Sequence, residues 1–200
     1  MARVNWLAHV FLSEPHVEFR LGNLLADIVK GADRERMSAE FLRGIQRHQA
    51  IDSFTDSHPV VRRSRARVGS GQRRFSGILV DVFYDYFLAK NWALYASVPL
   101  DTFTAGFYAD IQAAQIALPP PAQATVERMI RRDMLGEYRQ IHAVEHSLHR
   151  LSIRLSARWQ RPFMLEAGVA DLRAHEEAFS ADFAEFFPQL QAHVAGLEGR

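Results

Sequence analysis

The chain has 200 residues, of which 48% are hydrophobic, and its formal net charge at neutral pH is +1. This length and composition are typical of one globular domain, so we expect a single domain over residues 1–200. The absence of cysteine excludes disulfide bonds, thiolate catalysis and zinc sites with sulfur ligands. No segment approaches 18 uninterrupted apolar residues, and the N-terminus lacks the apolar core of a signal peptide, so we expect a cytoplasmic protein that does not enter a membrane.

Apolar residues recur at helical spacing through nearly the whole chain, and no segment alternates with period two for long enough to predict a strand. The sequence therefore predicts an all-α, single-domain helical bundle. Helices are expected at residues 3–13, 18–30, 38–56, 59–68, 73–92, 101–117, 121–134, 137–157 and 168–195. Ser38 is expected to cap the third helix and Pro59 to open the fourth. Gly22 leaves room for a neighbouring helix, and Pro188 is expected to kink or end the last one.

Four helical segments each carry two metal-competent residues four positions apart. The pairs are Asn5 and His9, Asn23 and Asp27, His48 and Asp52, and Asp81 and Asp85. Because four residues turn an α-helix by about 400°, the members of a pair share one face, roughly 6 Å apart. Asp56 extends the third pair by another turn. Imidazoles and carboxylates on apolar helices are costly to bury unless they bind a cation or one another, so the pattern predicts a metal site inside the bundle.

A shell of histidines and carboxylates suits Mg²⁺, Mn²⁺ or iron better than a structural zinc ion. Purely structural explanations also fit these residues. His48 and Asp52 could form a buried hydrogen bond, and His9 could be a hydrogen-bonded core histidine. Asp27 could form an ion pair with Lys30 or Arg20. The negative charges of Asp81 and Asp85 could be balanced by Arg73 or Arg74.

Two further clusters of basic residues stand out. Six arginines within thirteen positions indicate either an anionic partner or an ordinary solvated helix face; they are Arg62, Arg63, Arg65, Arg67, Arg73 and Arg74. A second cluster comprises His142, His146 and His149 on one helix face, which we expect at the surface or in support of the site. The chain contains neither a Gly-x-Ser-x-Gly elbow nor a Gly-x-x-x-x-Gly-Lys phosphate loop.

Several of these segments together resemble the acyl carrier protein phosphodiesterase family. The similarity is close at Asn5-Trp6-Leu7-Ala8-His9, at Gly22-Asn23-Leu24-Leu25-Ala26-Asp27, at His48 with Ile51-Asp52 and Thr55-Asp56, and at Asp81-Val82 with Asp85. It is looser at Phe87-Leu88, Trp92, Arg161-Pro162 and Phe187-Pro188. The resemblance covers most of the chain and is most specific in residues 5–92.

The resemblance implies a helical fold similar to the HD phosphohydrolases and a manganese- or magnesium-dependent removal of 4′-phosphopantetheine from the serine of holo-acyl carrier protein. Iron is a further candidate metal. The sequence contains no His-Asp dipeptide, which is the usual HD signature. On this basis we expect Asp27, His48 and Asp52 to hold the metal, with Asp81, Asp85 or His9 completing or supporting the shell. Asp56 is expected to orient water or accept a proton.

Acyl carrier proteins are small and acidic, so Arg62, Arg63, Arg65 and Arg67 are the expected docking residues. Two alternatives remain open at this point. One is a metal-dependent phosphohydrolase that acts on a nucleotide or another small phosphate ester. The other is a non-catalytic helical module that binds nucleic acid through its arginines, but it leaves the four ligand pairs unexplained. The sequence does not determine the oligomeric state.

Overall fold

The computed structural model describes residues 5–197, which form helices and connecting turns without a β-strand. The all-α prediction is therefore confirmed. The α-helices are α1 (Trp6–Phe11), α2 (Val17–Leu25), α3 (Ala32–Glu35), α4 (Ala39–Ser57), α5 (Pro59–Arg67), α6 (Ser76–Lys90), α7 (Leu100–Ala114), α8 (Pro120–Arg131), α9 (Ile141–Trp159), α10 (Val169–Ala174) and α11 (Glu176–Ala195). Short 3₁₀ helices cover Ser70–Phe75, Trp92–Leu94, Gly136–Arg139 and Leu165–Gly168. None of the helices within 5–197 is long and apolar enough to cross a membrane.

The helix boundaries follow the sequence most closely where a capping residue is visible. The hydroxyl of Ser38 accepts a hydrogen bond from the Phe41 N–H at 3.2 Å and so caps α4. Pro59 occupies the first turn of α5, where its missing N–H is not needed. The predicted start of the first helix, at residues 3 and 4, lies outside the described residues.

Two helix predictions need correction, and one of the two effects expected of Pro188 is excluded. Helix α2 ends at Leu25, five residues early, because the N–H groups of Ile28 and Val29 both turn back to the Leu25 carbonyl. Asp27 therefore lies on a turn. The last predicted helix is divided at His175 into α10 and α11. Pro188 does not end α11, since buried side chains before and after it hold the helix against the core; the kink expected as the alternative stays a prediction.

Glycines allow α2 and α4 to cross with their backbones nearly in contact. A Cβ added at Gly22 would lie 2.0 Å from the Phe41 carbonyl oxygen, and one added at Gly44 would lie 2.1 Å from the Phe19 carbonyl oxygen. No side chain fits at either position without moving the backbone. The packing role predicted for Gly22 is confirmed. This crossing sets the distance between the residues of α2 and α4 that form the site.

Helix α6 is the central element of the core. It is buried on every side from Ile78 to Ala89, and it packs against a row of phenylalanines from α11. A polar network fastens α5 to this core through the buried carboxylate of Asp182 on α11. Asp182 accepts hydrogen bonds from Ser64 at 2.8 Å, from Arg63 at 2.7 Å and from Arg67 at 3.1 Å. Burial alone would raise the pKa of Asp182, but these three donors outweigh burial and lower it.

Candidate metal centre

Two histidines and one aspartate from different helices converge at one point. His9 of α1 stacks on His48 of α4 with ring centroids 4.2 Å apart. Asp52 lies one turn after His48, with its carboxylate oxygens 3.5 Å from His9 Nε2 and 3.3 Å from His48 Nε2. One ligand atom of each residue lies within 4.8 Å of the others. Among the described residues, this is the group with the spacing of a metal site.

Asn23 of α2 orients both imidazole rings. Its side-chain amide donates to the His9 carbonyl at 2.9 Å, so its Oδ1 is the acceptor that faces His9 Nδ1 at 2.7 Å. The Asn23 backbone carbonyl, which can only accept, lies 2.8 Å from His48 Nδ1. Both rings therefore carry their proton on Nδ1 when neutral and present a Nε2 lone pair to Asp52. Supporting contacts of this kind hold histidine ligands in known metal sites.

The charge balance of the cluster also favours a cation. Burial lowers the pKa of His9, a contact with Asp52 opposes this, and the neighbouring His48 lowers the pKa further. A neutral His9 leaves a fully buried Nε2 without a hydrogen-bond partner. Burial by itself would raise the pKa of Asp52, but hydrogen bonds from His48 and His9 lower it when their Nε2 atoms carry protons, and Asp52 is then ionised. When both imidazoles are neutral, their Nε2 lone pairs face this carboxylate, and a proton or a metal cation between them removes the repulsion.

A small cavity adjoins the cluster. It has a volume of about 20 Å³, enough for one ion or one water molecule. Its walls are formed by Asn5, Trp6, His9, Leu24, Asp27, Ile28, His48 and Arg154. The Asn5 Oδ1 atom is buried there without a hydrogen-bond partner. Asp27 is partly exposed and lies 4.0 Å from Lys30. A groove of about 600 Å³ between α7 and α8 is larger but contains none of the predicted site residues.

Asp85 and Asp81 lie outside the group formed by His9, His48 and Asp52. Asp85 of α6 accepts hydrogen bonds from the N–H groups of Leu7 at 3.0 Å and Ala8 at 2.9 Å, and so caps the first turn of α1. Burial raises the pKa of Asp85 well above its usual value, although the two N–H donors oppose this. Neither aspartate belongs to the His9 cluster. Asp85 instead fixes the helix that carries His9 through these two backbone N–H groups.

Three of the four arginines of α5 form ion pairs within the chain, and the fourth donates a hydrogen bond to a backbone carbonyl. Arg65 pairs with Asp56, the residue expected to orient water. Arg63 and Arg67 both pair with Asp182, and Arg63 also contacts Glu185. Arg62 donates to the Ser57 carbonyl and is exposed. Most of the basic charge predicted to dock a partner is thus already neutralised within the chain.

Two site residues were not found from the sequence in their present roles. Asn23 was identified as a ligand candidate, whereas it supports the histidines. Arg154 of α9 was not identified at all, because an arginine on a polar helix face has no distinguishing pattern. His142, His146 and His149 are exposed, in agreement with the surface position expected for them. His149 pairs with Glu166 at 3.0 Å.

The fold and the cluster define an all-α protein with a candidate centre of two histidines and one carboxylate. Comparison with known proteins gives the family. The family model described as acyl carrier protein phosphodiesterase matches residues 4–190, and the chain belongs to this family. No solved structure matches the chain.

Curated relatives agree with the family model. A Pectobacterium atrosepticum protein named acyl carrier protein phosphodiesterase is 32% identical over 197 residues, covering 94% of this chain and 95% of the relative. An Escherichia coli protein of the same name is 32% identical over 196 residues, covering 96% of this chain and 98% of the relative. The resemblance stated from the sequence motifs is therefore confirmed.

Proposed function

We propose that this protein is a cytoplasmic phosphodiesterase that hydrolyses the bond between 4′-phosphopantetheine and the serine of holo-acyl carrier protein, using a divalent metal held by His9, His48 and Asp52. The observation that carries this proposal is the convergence of two Nε2 lone pairs on one carboxylate in a chain of this family. In the reaction, water adds to phosphorus, the bond from phosphorus to the serine oxygen breaks, and the serine oxygen takes up a proton.

The residues of the cluster fit a divalent metal that accepts a mixed nitrogen and oxygen shell. Two imidazole nitrogens and one carboxylate suit manganese or iron better than magnesium, which prefers an all-oxygen shell. A bound divalent ion would polarise the phosphoryl group and lower the pKa of a bound water molecule. The proposed role for Asn23 is to keep both Nε2 atoms unprotonated and available.

The proposal gives Asp27 the role in proton transfer. It lines the same cavity as His9 and His48 and is partly open to solvent. We assign to Asp27 the holding of the attacking water and the acceptance of its proton. Asp56 was expected in this role, but it is exposed and forms an ion pair with Arg65.

The test combines product analysis with metal control. The protein, stripped with a chelator and reloaded with Mn²⁺, is incubated with holo-acyl carrier protein, and mass spectrometry follows loss of the phosphopantetheine arm. We expect release with Mn²⁺, none after chelation, and none for His48→Ala. His149→Ala is the matched control, because His149 is exposed and lies outside the cluster, and we expect it to keep wild-type activity. Turnover of nucleotides without turnover of holo-carrier protein would overturn the proposal in favour of a small-ester phosphohydrolase.

A further inference from the structure

A row of arginines lies along helix α9 beside the candidate metal centre. Arg150, Arg154 and Arg158 follow one another at spacings of four residues and therefore share one helix face. Arg154 lines the cavity together with His9, Asp27 and His48. Arg128, in the last turn of α8, is a near neighbour of this row. We call Arg128, Arg150, Arg154 and Arg158 the α9 arginine face.

Within the described chain this face has no ion pair of its own; Arg150 donates a hydrogen bond to Ser147 at 2.8 Å, and Glu137 acts on Arg150 only from a longer distance. No ion pair among residues 5–197 includes Arg128, Arg150, Arg154 or Arg158. Burial lowers the pKa of Arg154, and the neighbouring Arg128 and Arg150 lower it further. The arginines of α5 differ in this respect, since three of them are paired with Asp56, Asp182 or Glu185.

The same region also exposes large apolar side chains. Ile153 and Trp159 of α9 are 56% and 57% exposed, and Met164, just after the helix, is 64% exposed. Exposed apolar residues among unpaired arginines are typical of a surface that binds another protein, since arginine and aromatic residues are enriched at interfaces. The position beside the cavity mouth makes this surface reachable by a group that also enters the site.

We propose that the α9 arginine face is the docking surface for the acidic carrier protein, and that Arg154 binds the phosphate of the substrate at the mouth of the cavity. This inference rests on the proposed function, because it assumes a protein substrate of negative charge with a phosphodiester. It moves the docking surface from α5 to α9. Arginine suits this role because its planar guanidinium can bind a carboxylate or a phosphate through two parallel hydrogen bonds.

The experiment compares charge changes on the two surfaces. We expect Arg128→Ala/Arg150→Ala to raise KM for holo-carrier protein about tenfold at low salt with kcat within about twofold of wild type, since docking charges act mainly on association. Arg158→Glu, on an exposed side chain that cannot disturb the core, should raise KM in the same direction. The control Arg62→Glu changes an exposed arginine of α5 and should leave KM unchanged. Added salt should raise the KM of the wild type more than that of the double variant.

Direct binding separates this inference from the proposed function. Apo-carrier protein lacks the scissile bond, so its affinity can be measured by titration calorimetry at low salt whether or not the wild type is active. Weaker binding by the α9 variants and normal binding by Arg62→Glu would support the docking surface. Equal binding by all variants, a loss confined to Arg62→Glu, or no binding by the wild type would overturn it. Absence of turnover by a wild type that binds normally would instead refute the proposed reaction.

Discussion

Replacement of Asn23 by alanine tests whether one residue prepares both histidines for a metal. The substitution removes the Oδ1 acceptor of the His9 Nδ1–H group at 2.7 Å but keeps the backbone carbonyl that holds His48 at 2.8 Å. The His9 carbonyl also keeps its second donor, the Ser13 hydroxyl, at 2.7 Å. The expected damage is therefore confined to the His9 ring, which is free to rotate or to change tautomer.

Two magnitudes follow for Asn23→Ala. Leaving the buried Nδ1–H group of His9 unsatisfied costs about 1–3 kcal/mol in the free energy of unfolding. Loss of a group that supports a metal ligand typically weakens metal affinity by about 10–100-fold. We expect both effects, the first measured by urea unfolding with a chelator present and the second by calorimetric titration with Mn²⁺.

Two further variants make the test of Asn23 specific. Asn23→Asp keeps an acceptor for His9 Nδ1 and should retain more metal affinity than Asn23→Ala. Ser13→Ala removes a contact with Asn23 at 2.8 Å without touching either imidazole, so its Mn²⁺ affinity should stay within about threefold of wild type. A stable Asn23→Ala protein that binds Mn²⁺ as tightly as the wild type would refute the assignment of Asn23 as the orienting residue.

Three other expectations follow from the structure. Asp52→Asn should weaken Mn²⁺ binding by more than about 100-fold, which is the largest loss typical of a residue that only supports a metal ligand. Asp56→Asn should leave Mn²⁺ affinity unchanged in the same titration, and equal losses for the two variants would place Asp56 in the metal centre. Gly44→Ala should lower the free energy of unfolding by about 3 kcal/mol or fail to fold, because its Cβ would collide with the backbone of α2. Gly106 lies on α7, and a Cβ added there has nothing within 4 Å, so Gly106→Ala should instead stabilise the protein by about 0.5–1 kcal/mol. If both glycine variants were destabilised, the cause would be a general sensitivity of the helices to substitution rather than the close crossing of α2 and α4. The pKa of Asp182 is lowered in the folded protein, so its ionised carboxylate stabilises the fold, by about 2 kcal/mol. This contribution is complete above the ordinary pKa of aspartate and is lost as the pH falls below that value. The unfolding free energies of wild type and Asp182→Asn should therefore differ at pH 7 and converge once the pH falls below the lowered pKa of Asp182, and a difference independent of pH would refute the ionised network.

The long helices could be predicted because their signals are local. Apolar spacing and the capping residues Ser38 and Pro59 placed both ends of α4 and the start of α5 within one residue. The errors occur where tertiary contacts decide. Nothing local to Pro188 shows that the phenylalanines beside it will be buried and will hold α11 together. Likewise, the early end of α2 depends on a turn in which two N–H groups share one carbonyl.

The i,i+4 rule identified the right residue types but only part of the right geometry. It holds for His48 and Asp52, whose side chains meet within one helix at 3.3 Å. For His9 and Asp85 the important partners lie on other helices, namely Asn23 and the first turn of α1. Sequence spacing shows which residues share a face of a helix, but it does not show what that face packs against.

The close crossing of α2 and α4 explains why the role of Asn23 could not be derived from the sequence. A backbone carbonyl of α2 can reach the His48 ring of α4 only when the two helix backbones are nearly in contact, and Gly22 and Gly44 make that contact possible. Gly22 was recognised as a packing residue, but neither its partner nor Gly44 could be assigned without the fold. The two glycines therefore act on the site as well as on stability, since any side chain there would move the Asn23 carbonyl away from His48. On this argument, a Gly44→Ala protein that still folds should lose Mn²⁺ affinity although it keeps all three proposed ligands.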